Sequence, residues 1–90
     1  MPTVHFTQAL KRFFNDLDSI ETPEQRISDI LAHIDRQWPG IKGYIVDDQG
    51  KLRQHVNIFI DGELIQDREG LSDRLRPESE VYFFQALSGG

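Results

Sequence analysis

The sequence predicts an α+β domain in which one amphipathic helix covers a mixed sheet of four to five strands. Three observations support this prediction. The segment 22–38 has apolar side chains at helical spacing, and several short segments alternate polar and apolar side chains as strands do. A chain of 90 residues is long enough for one domain only. A single helix with one apolar stripe must bury that stripe against one face of the sheet.

The first element is a predicted strand. Residues 3–7 alternate polar and apolar side chains, so that Val4 and Phe6 face the core. The segment that follows has apolar residues at helical spacing, but it also contains the helix-breaking pair Asn15-Asp16. We interpret it as an irregular or single-turn connection that leads into a short second strand at 17–21.

The segment 22–38 gives the clearest helix prediction. Thr22 and Gln25 form a capping box, and Pro23 suits the first helical position. Pro39-Gly40 ends the helix. The apolar stripe that the helix would bury consists of Ile27, Ile30, Leu31, Ile34 and Trp38.

The remaining strands are predicted in the second half of the chain. Asp61-Gly62 is a strong hairpin signal between a central strand and a short return strand. The predicted elements are a turn at 47–50, strands at 56–60 and 63–65, a turn at 67–70, one helical turn at 71–75, a loop at 76–79 and a last strand at 81–87. The order is strand, strand, helix, strand, short strand, strand, which is the order of the β-grasp fold.

Composition and charge exclude several classes of function. Ten Lys and Arg against 15 Asp and Glu give a net charge of −5, the wrong sign for a nucleic-acid binder. Residues 46–90 hold nine acidic and five basic side chains, which favours a basic partner. No apolar run approaches the roughly 18 residues of a membrane span, and the N-terminus does not look like a signal peptide. We therefore expect a cytoplasmic protein with no membrane partner.

Groups suited to catalysis are scarce. The absence of cysteine removes disulfides, thiolate nucleophiles and cysteine metal sites. His5, His33 and His55 have no ligand-like spacing, and we interpret all three as solvated surface residues. No Gly-rich phosphate loop is present, so any ATP on which the protein depends must be bound by another chain. We expect no metal site and no bound cofactor.

The unusual feature is the C-terminus, Ser88-Gly89-Gly90, which has no side chain able to pack. We place the domain at 1–87 and treat 88–90 as a flexible tail. Three residues reach about 10 Å and can thread a narrow channel in a partner. The terminal carboxylate is a poor electrophile, but once joined to AMP it is open to attack by sulfur or an amine. A terminal Gly-Gly can also arise without function, because flexible ends favour glycine.

Four short motifs follow one another in a specific order along the chain. They are Val56-Asn57-Ile58-Phe59-Ile60-Asp61-Gly62-Glu63, Gly70-Leu71, Glu80-Val81-Tyr82-Phe83 and Ala86-Leu87-Ser88-Gly89-Gly90. This ordered set resembles the ubiquitin-like sulfur carriers, which include the molybdopterin synthase small subunit and the thiamine-biosynthesis sulfur carrier. The resemblance implies a β-grasp fold and a carrier protein rather than an enzyme, or a non-catalytic subunit of a synthase.

The resemblance also implies a reaction cycle at Gly90 that is run by partner proteins. An enzyme of the ubiquitin-activating type would use ATP to adenylate Gly90, and a sulfur donor protein or sulfide would convert the adenylate to a thiocarboxylate. The sulfur would then pass to an acceptor enzyme in cofactor or amino-acid biosynthesis. The alternative is a ubiquitin-like modifier that forms isopeptide bonds with lysine, or an interaction module that is never activated.

Aromatic side chains on the last strands predict a docking surface for these partners. Phe59, Tyr82 and Phe84 alternate to the face of the sheet opposite the core, where clustered aromatic side chains often mark an interface. Two alternatives are that the Phe13-Phe14 segment covers them, or that they are scattered exposed side chains without a partner. The predicted partner-binding residues are Phe59, Tyr82, Phe84, Ala86 and Leu87.

Overall fold

The computed structural model describes residues 1–85. Five strands form one sheet in the order β2-β1-β5-β3-β4. The strands are β1 (Thr3–Phe6), β2 (Ile20–Glu21), β3 (Val56–Ile60), β4 (Glu63–Leu64) and β5 (Glu80–Gln85), and the helices are α1 (Gln8–Lys11), α2 (Ile27–Gln37) and α3 (Ile41–Ile45). None of the helices in this part of the chain is long and apolar enough to span a bilayer. The predicted β-grasp fold is confirmed.

The helix α2 and one face of the sheet form the core. All five residues of the predicted apolar stripe are buried. They pack with residues from the central strands, among them Val4, Ile58 and Phe83, which are fully buried. The Phe6 ring lies 5.8 Å from the Trp38 ring and 5.9 Å from the Phe83 ring. The helical spacing of apolar residues therefore identified the buried face of α2 correctly.

The start of α2 differs from the sequence prediction. The helix begins at Ile27 rather than at Thr22, so the capping box of Thr22 and Gln25 is wrong. Thr22 is instead buried, and its N–H donates to the carbonyl of Pro2 at 3.0 Å. This hydrogen bond continues the pairing of β2 with β1, and the helix starts five residues later, so Thr22 is too far from its first turn to cap it.

A distant segment caps α2 in place of the local residues. The N–H groups of Ile27 and Ser28 donate to the carbonyls of Asp73 and Leu71, at 3.1 and 2.9 Å. To make these contacts, residues 71–75 do not form the predicted helical turn, and Leu71 takes a positive φ of 53°. The first N–H groups of a helix need partners from outside it, and here the partners come from the loop before β5.

The turns follow the sequence closely, whereas one short helix was not predicted. Asp61 and Gly62 have φ angles of 51° and 87°, as a tight hairpin between β3 and β4 requires. Gly40, with φ of 99°, ends the α2 segment and leads into α3, whose Ile41 and Ile45 are buried. A helix of five residues is too short for its period to stand out, so the sequence does not predict α3.

The direction of the strands determines where β5 ends. β1 and β5 are parallel, with Phe6 opposite Phe83, so these two strands finish at the same end of the sheet. β3 is antiparallel to β5 and begins at that end, since Val56 pairs with Gln85. We call it the tail end, because residues 86–90 follow Gln85 in the sequence.

The loop that caps α2 is itself organised by the Asp67 carboxylate. The carboxylate accepts hydrogen bonds from the Ser72 hydroxyl at 2.5 Å, the Ser72 N–H at 3.2 Å and the Gly70 N–H at 2.9 Å. These donors, the Ser72 hydroxyl first, lower the pKa of Asp67 from 3.8 to about 2. A Cβ at Gly70 would lie only 2.9 Å from Asp67 Oδ2, so a side chain there would displace the carboxylate from these hydrogen bonds.

We expect the stability due to Asp67 to depend on pH. A carboxyl whose pKa is lower in the folded state stabilises the fold above its unfolded pKa, and this contribution is lost as pH falls through the folded pKa. Asp67→Ala should lower the melting temperature at neutral pH, and its difference from wild type should shrink between pH 3.8 and about 2. Thermal unfolding across this range measures the effect, with Asp48→Ala at an exposed turn position as control. A difference that stays constant down to pH 2 would contradict the role given to Asp67.

Candidate functional site

The face of the sheet opposite α2 carries a row of side chains that crosses four strands. His5 in β1 is paired with Tyr82 in β5, Tyr82 with Phe59 in β3, and Phe59 with Leu64 in β4. Phe84 lies two residues beyond Tyr82 on the same face of β5. We call Phe59, Leu64, Tyr82 and Phe84 the open-face patch.

The open-face patch is apolar and accessible. Tyr82, Phe84 and Leu64 expose 44%, 49% and 54% of their surface, and Phe59 is half-buried. The Phe59 and Phe84 rings meet edge to face with centroids 6.3 Å apart. The structure thus brings together the three aromatic residues that the sequence predicted as a docking surface. Exposed apolar side chains grouped in this way are typical of a surface that another molecule covers.

The Phe13-Phe14 segment does not cover the open-face patch, which removes one alternative raised by the sequence. The Phe13 ring stacks on Tyr44 in α3, with centroids 4.7 Å apart. The Phe14 ring meets the edge of the same tyrosine at 5.6 Å and packs against the core. Both phenylalanines are therefore engaged with α3.

Leu64 belongs to the open-face patch but was not predicted from the sequence. Its strand, β4, has only two residues, so no alternation of polar and apolar side chains is available to read. The register decides its orientation, because Leu64 pairs with Phe59 and paired residues share a face. The Asp61-Gly62 turn was the available signal, since a two-residue hairpin loop fixes the register of its strands.

His5 holds one side of the patch in place. Its Nδ1 lies 3.0 Å from Ser19 Oγ, its Nε2 lies 2.6 Å from Glu80 Oε1, and its ring stacks on Tyr82 at 4.4 Å. The side chain is only 26% exposed, so His5 is not the freely solvated residue that the sequence predicted. Nothing local could have shown this, because Glu80 is 75 residues away in the chain.

The other two histidines do not form a metal site. His33 Nδ1 lies 3.0 Å from Glu24 Oε1, and both side chains are largely buried, which again differs from the solvated state that we predicted. His55 is exposed. Across residues 1–85, no group of three or more His, Cys, Asp and Glu side chains is placed to hold a metal ion.

Two acidic side chains of the second half, Asp61 and Glu80, lie at the end of the sheet opposite the tail end. The Asp61 N–H donates to the Glu80 carbonyl at 2.9 Å, so the β3–β4 turn meets the start of β5 there. The Asp61 carboxylate accepts hydrogen bonds from the Glu80 N–H and the Ser79 hydroxyl, which lower its pKa. About 16 Å of strand separates Glu80 from Gln85. Asp61 and Glu80 therefore lie far from the tail end, and the expectation of a basic partner stays a prediction.

Part of the predicted site lies outside the described residues. Ala86, Leu87 and the tail residues Ser88, Gly89 and Gly90 follow Gln85. Their roles as partner-binding and reactive residues stay predictions, as does the domain boundary at residue 87. Five residues span at most about 17 Å, so Gly90 cannot act farther than this from the tail end.

One family model matches nearly the whole chain. The model of the ThiS family matches residues 4–90. Small archaeal modifier protein 3 from Haloferax volcanii is 25% identical over 64 residues, which cover 71% of this chain and 68% of that protein.

Solved structures share the fold over nearly the whole chain. A chain in the crystal structure of the Amycolatopsis orientalis BexX/CysO complex superposes with a TM-score of 0.84 at 21% identity, over 100% of both chains. CysO from Mycobacterium tuberculosis gives 0.81 at 20% identity, over 97% of this chain and 100% of that one. SAMP1 from Haloferax volcanii gives 0.76 at 19% identity, over 99% and 98%. At these identities, the likeness establishes the fold alone.

Proposed function

Because the chain belongs to the ThiS family of ubiquitin-like sulfur carriers, we propose that it carries sulfur on the carboxyl group of Gly90. The observation that supports this most strongly is the extent of the family match, which runs from residue 4 through both terminal glycines. In this proposal the chain is a protein cosubstrate rather than an enzyme. The sulfur goes to an acceptor enzyme in the biosynthesis of a cofactor or an amino acid.

The proposed chemistry takes two steps, both run by partner proteins. An oxygen of the Gly90 carboxylate attacks the α-phosphorus of ATP in an adenylating enzyme of the ubiquitin-activating type, and pyrophosphate leaves. Sulfide then attacks the acyl carbon, a carbon–sulfur bond forms, and AMP leaves with the electron pair. No electrons are gained or lost, so this route needs no redox partner. A persulfide on a sulfur donor protein can take the place of sulfide. Its outer sulfur attacks the acyl carbon as AMP leaves, which gives an acyl disulfide, and a thiol then attacks the donor's sulfur, so that the thiocarboxylate leaves and a disulfide forms, with the thiol as reductant.

The folded body presents the reactive terminus to the partners. Gly89 and Gly90 have no Cβ, so a channel too narrow for any side chain can admit them. The open-face patch contains exposed aromatic side chains, and aromatic anchors of this kind contribute much of the binding energy in protein interfaces. We propose that this patch docks on the adenylating enzyme and then on the sulfur acceptor. We propose that these encounters take place in the cytoplasm, where ATP is available, and involve proteins rather than nucleic acid or a membrane.

A second function deserves the same test, since two of the similar proteins are named as modifiers. A ubiquitin-like modifier is adenylated in the same way but reacts with a lysine amine, which gives an isopeptide bond. The two functions therefore share the first step and differ in the nucleophile of the second.

Mass spectrometry of the intact chain separates the two functions. After incubation with the organism's adenylating enzyme, ATP and sulfide, we expect the free chain to gain the mass difference between sulfur and oxygen. Omission of ATP is the control, because the carboxylate is then not activated. Conjugation would instead leave the mass of the free chain unchanged and add the mass of the whole chain to a target protein. That outcome would contradict the sulfur-carrier proposal.

A further inference from the structure

A second exposed aromatic pair lies away from the open-face patch. Phe13, just after α1, exposes 56% of its surface, and Tyr44 in α3 exposes 37%. Their rings stack with centroids 4.7 Å apart and an interplanar angle of 25°. We call Phe13 and Tyr44 the tail-end stack. Two aromatic side chains that pack on each other and still remain this exposed leave apolar surface that the fold itself does not cover.

The topology places this pair at the tail end. Phe13 belongs to the connection that leaves β1, and β1 finishes beside the end of β5. Tyr44 lies in α3, directly after the end of α2, where the Trp38 ring is 5.8 Å from Phe6 near the end of β1. The tail-end stack therefore lies on the end of the molecule from which residues 86–90 continue, whereas the open-face patch lies on the face of the sheet.

The charges at this end differ from those of the remaining surface. Lys11 and Arg12 precede Phe13, Lys42 lies in α3, and Arg53 Nε donates to the Gly43 carbonyl of α3 at 3.0 Å. Residues 7–18 and 40–55 together hold five basic and four acidic side chains, whereas the rest of the chain holds five basic and eleven acidic ones. Basic side chains therefore slightly outnumber acidic ones in the two segments at the tail end, although the chain as a whole is acidic.

The short length of the tail requires a partner that binds Gly90 to lie close to the tail end. Five residues beyond Gln85 span at most about 17 Å. A protein that holds the Gly90 carboxylate in its active site must therefore come within that distance of the tail end. A specific interface covers about 800 Å² on each partner, which is broad enough to include side chains around the point where the tail begins.

We infer that the tail-end stack is a second contact for the adenylating partner, which covers it with an apolar patch rimmed by acidic side chains. The inference rests on the proposed function of Gly90. Arg12 and Lys42 supply the charges that the acidic rim recognises. One contact on the face of the sheet and another at its end fix the orientation in which the folded body binds the partner. The contact affects binding of the carrier and not the chemistry of the carboxylate.

The test measures adenylation as ATP–pyrophosphate exchange with the organism's adenylating enzyme, at increasing concentrations of the carrier. Phe13→Ser should raise the KM for the carrier at least about tenfold, as the loss of an aromatic anchor does, and leave kcat unchanged. Arg12→Gln should also raise the KM, and more so at low salt, because charge attraction is screened as salt increases. Arg76→Gln removes the same charge from an 84% exposed side chain at the opposite end and should leave the KM unchanged.

The outcomes separate this inference from the proposed function. If wild type is adenylated and both Phe13→Ser and Arg12→Gln keep its KM, the tail-end contact is refuted while the function of Gly90 stands. If wild type is not adenylated at all, the proposed function fails and the inference fails with it. Each variant should have the same melting temperature as the wild type, which would show that a raised KM does not come from loss of the fold.

Discussion

Deletion of Gly90 is expected to reduce thiocarboxylate formation to background and to change the free energy of unfolding by less than about 0.5 kcal/mol. The shortened chain still ends in a carboxylate, but this group is displaced by one residue, about 3.5 Å. A displacement of about 1 Å can already cost a hundredfold in rate when reacting groups must be aligned. The fold is unaffected, because glycine has no side chain whose packing could be lost.

Gly90→Ala is the matched variant for this deletion, because it keeps the length of the tail and adds one methyl group. We expect a smaller loss of thiocarboxylate than the deletion causes, since the carboxylate stays within reach while the channel must accept a Cβ. Mass spectrometry measures the product and chemical denaturation measures stability. A chain without Gly90 that still acquires sulfur at its end would show that the position of the carboxylate is not essential.

Substitutions of the neighbouring residues Phe83 and Phe84 should have different effects, because Phe83 contributes to stability and Phe84 to partner binding. Phe83 is fully buried against Phe6, so we expect Phe83→Ala to lower the free energy of unfolding by about 3 to 5 kcal/mol. Small domains have a total of about 5 to 15 kcal/mol, so this variant should be close to unfolding. Phe84 is half exposed on the open-face patch, and Phe84→Ala should cost less than about 1 kcal/mol.

Phe84→Ala should weaken binding to the partner although it has little effect on stability. We expect Phe84→Ala to raise the KM for the carrier in the adenylation assay by about tenfold or more, because an exposed aromatic anchor loses its contact with the partner. Chemical denaturation and the adenylation assay together provide the comparison. If Phe84→Ala were as destabilising as Phe83→Ala, or if it were adenylated as efficiently as wild type, the open-face patch would not be a docking surface.

The features that the sequence predicted well are those that depend on local patterns. The stripe from Ile27 to Trp38 has a helical period, and every member is buried. The strand 56–60 and the Asp61-Gly62 hairpin were predicted with their correct bounds, since alternation and turn chemistry are both local. The alternation of Phe59, Tyr82 and Phe84 likewise placed these three residues on one face.

The features that the sequence did not show depend on contacts between distant segments. Thr22 does not cap α2 as predicted, and its N–H donates to the Pro2 carbonyl. The carbonyls of Leu71 and Asp73 cap the helix instead. The pairing of His5 with Glu80 and the stacking of Phe13 on Tyr44 join segments far apart in the chain. The pairing of β3 with β5 places Asp61 beside Glu80 at the end opposite the tail, which no count of charges along the sequence can reveal.

The most direct test of the account is to find which part of the chain acquires sulfur. After reaction with the adenylating enzyme, ATP and sulfide, the chain is digested and its peptides are weighed. We predict that the peptide ending in Gly90 gains the sulfur-for-oxygen mass difference and that peptides within residues 1–85 keep their masses. An unmodified terminal peptide from a chain whose intact mass has gained the sulfur-for-oxygen difference would contradict the account.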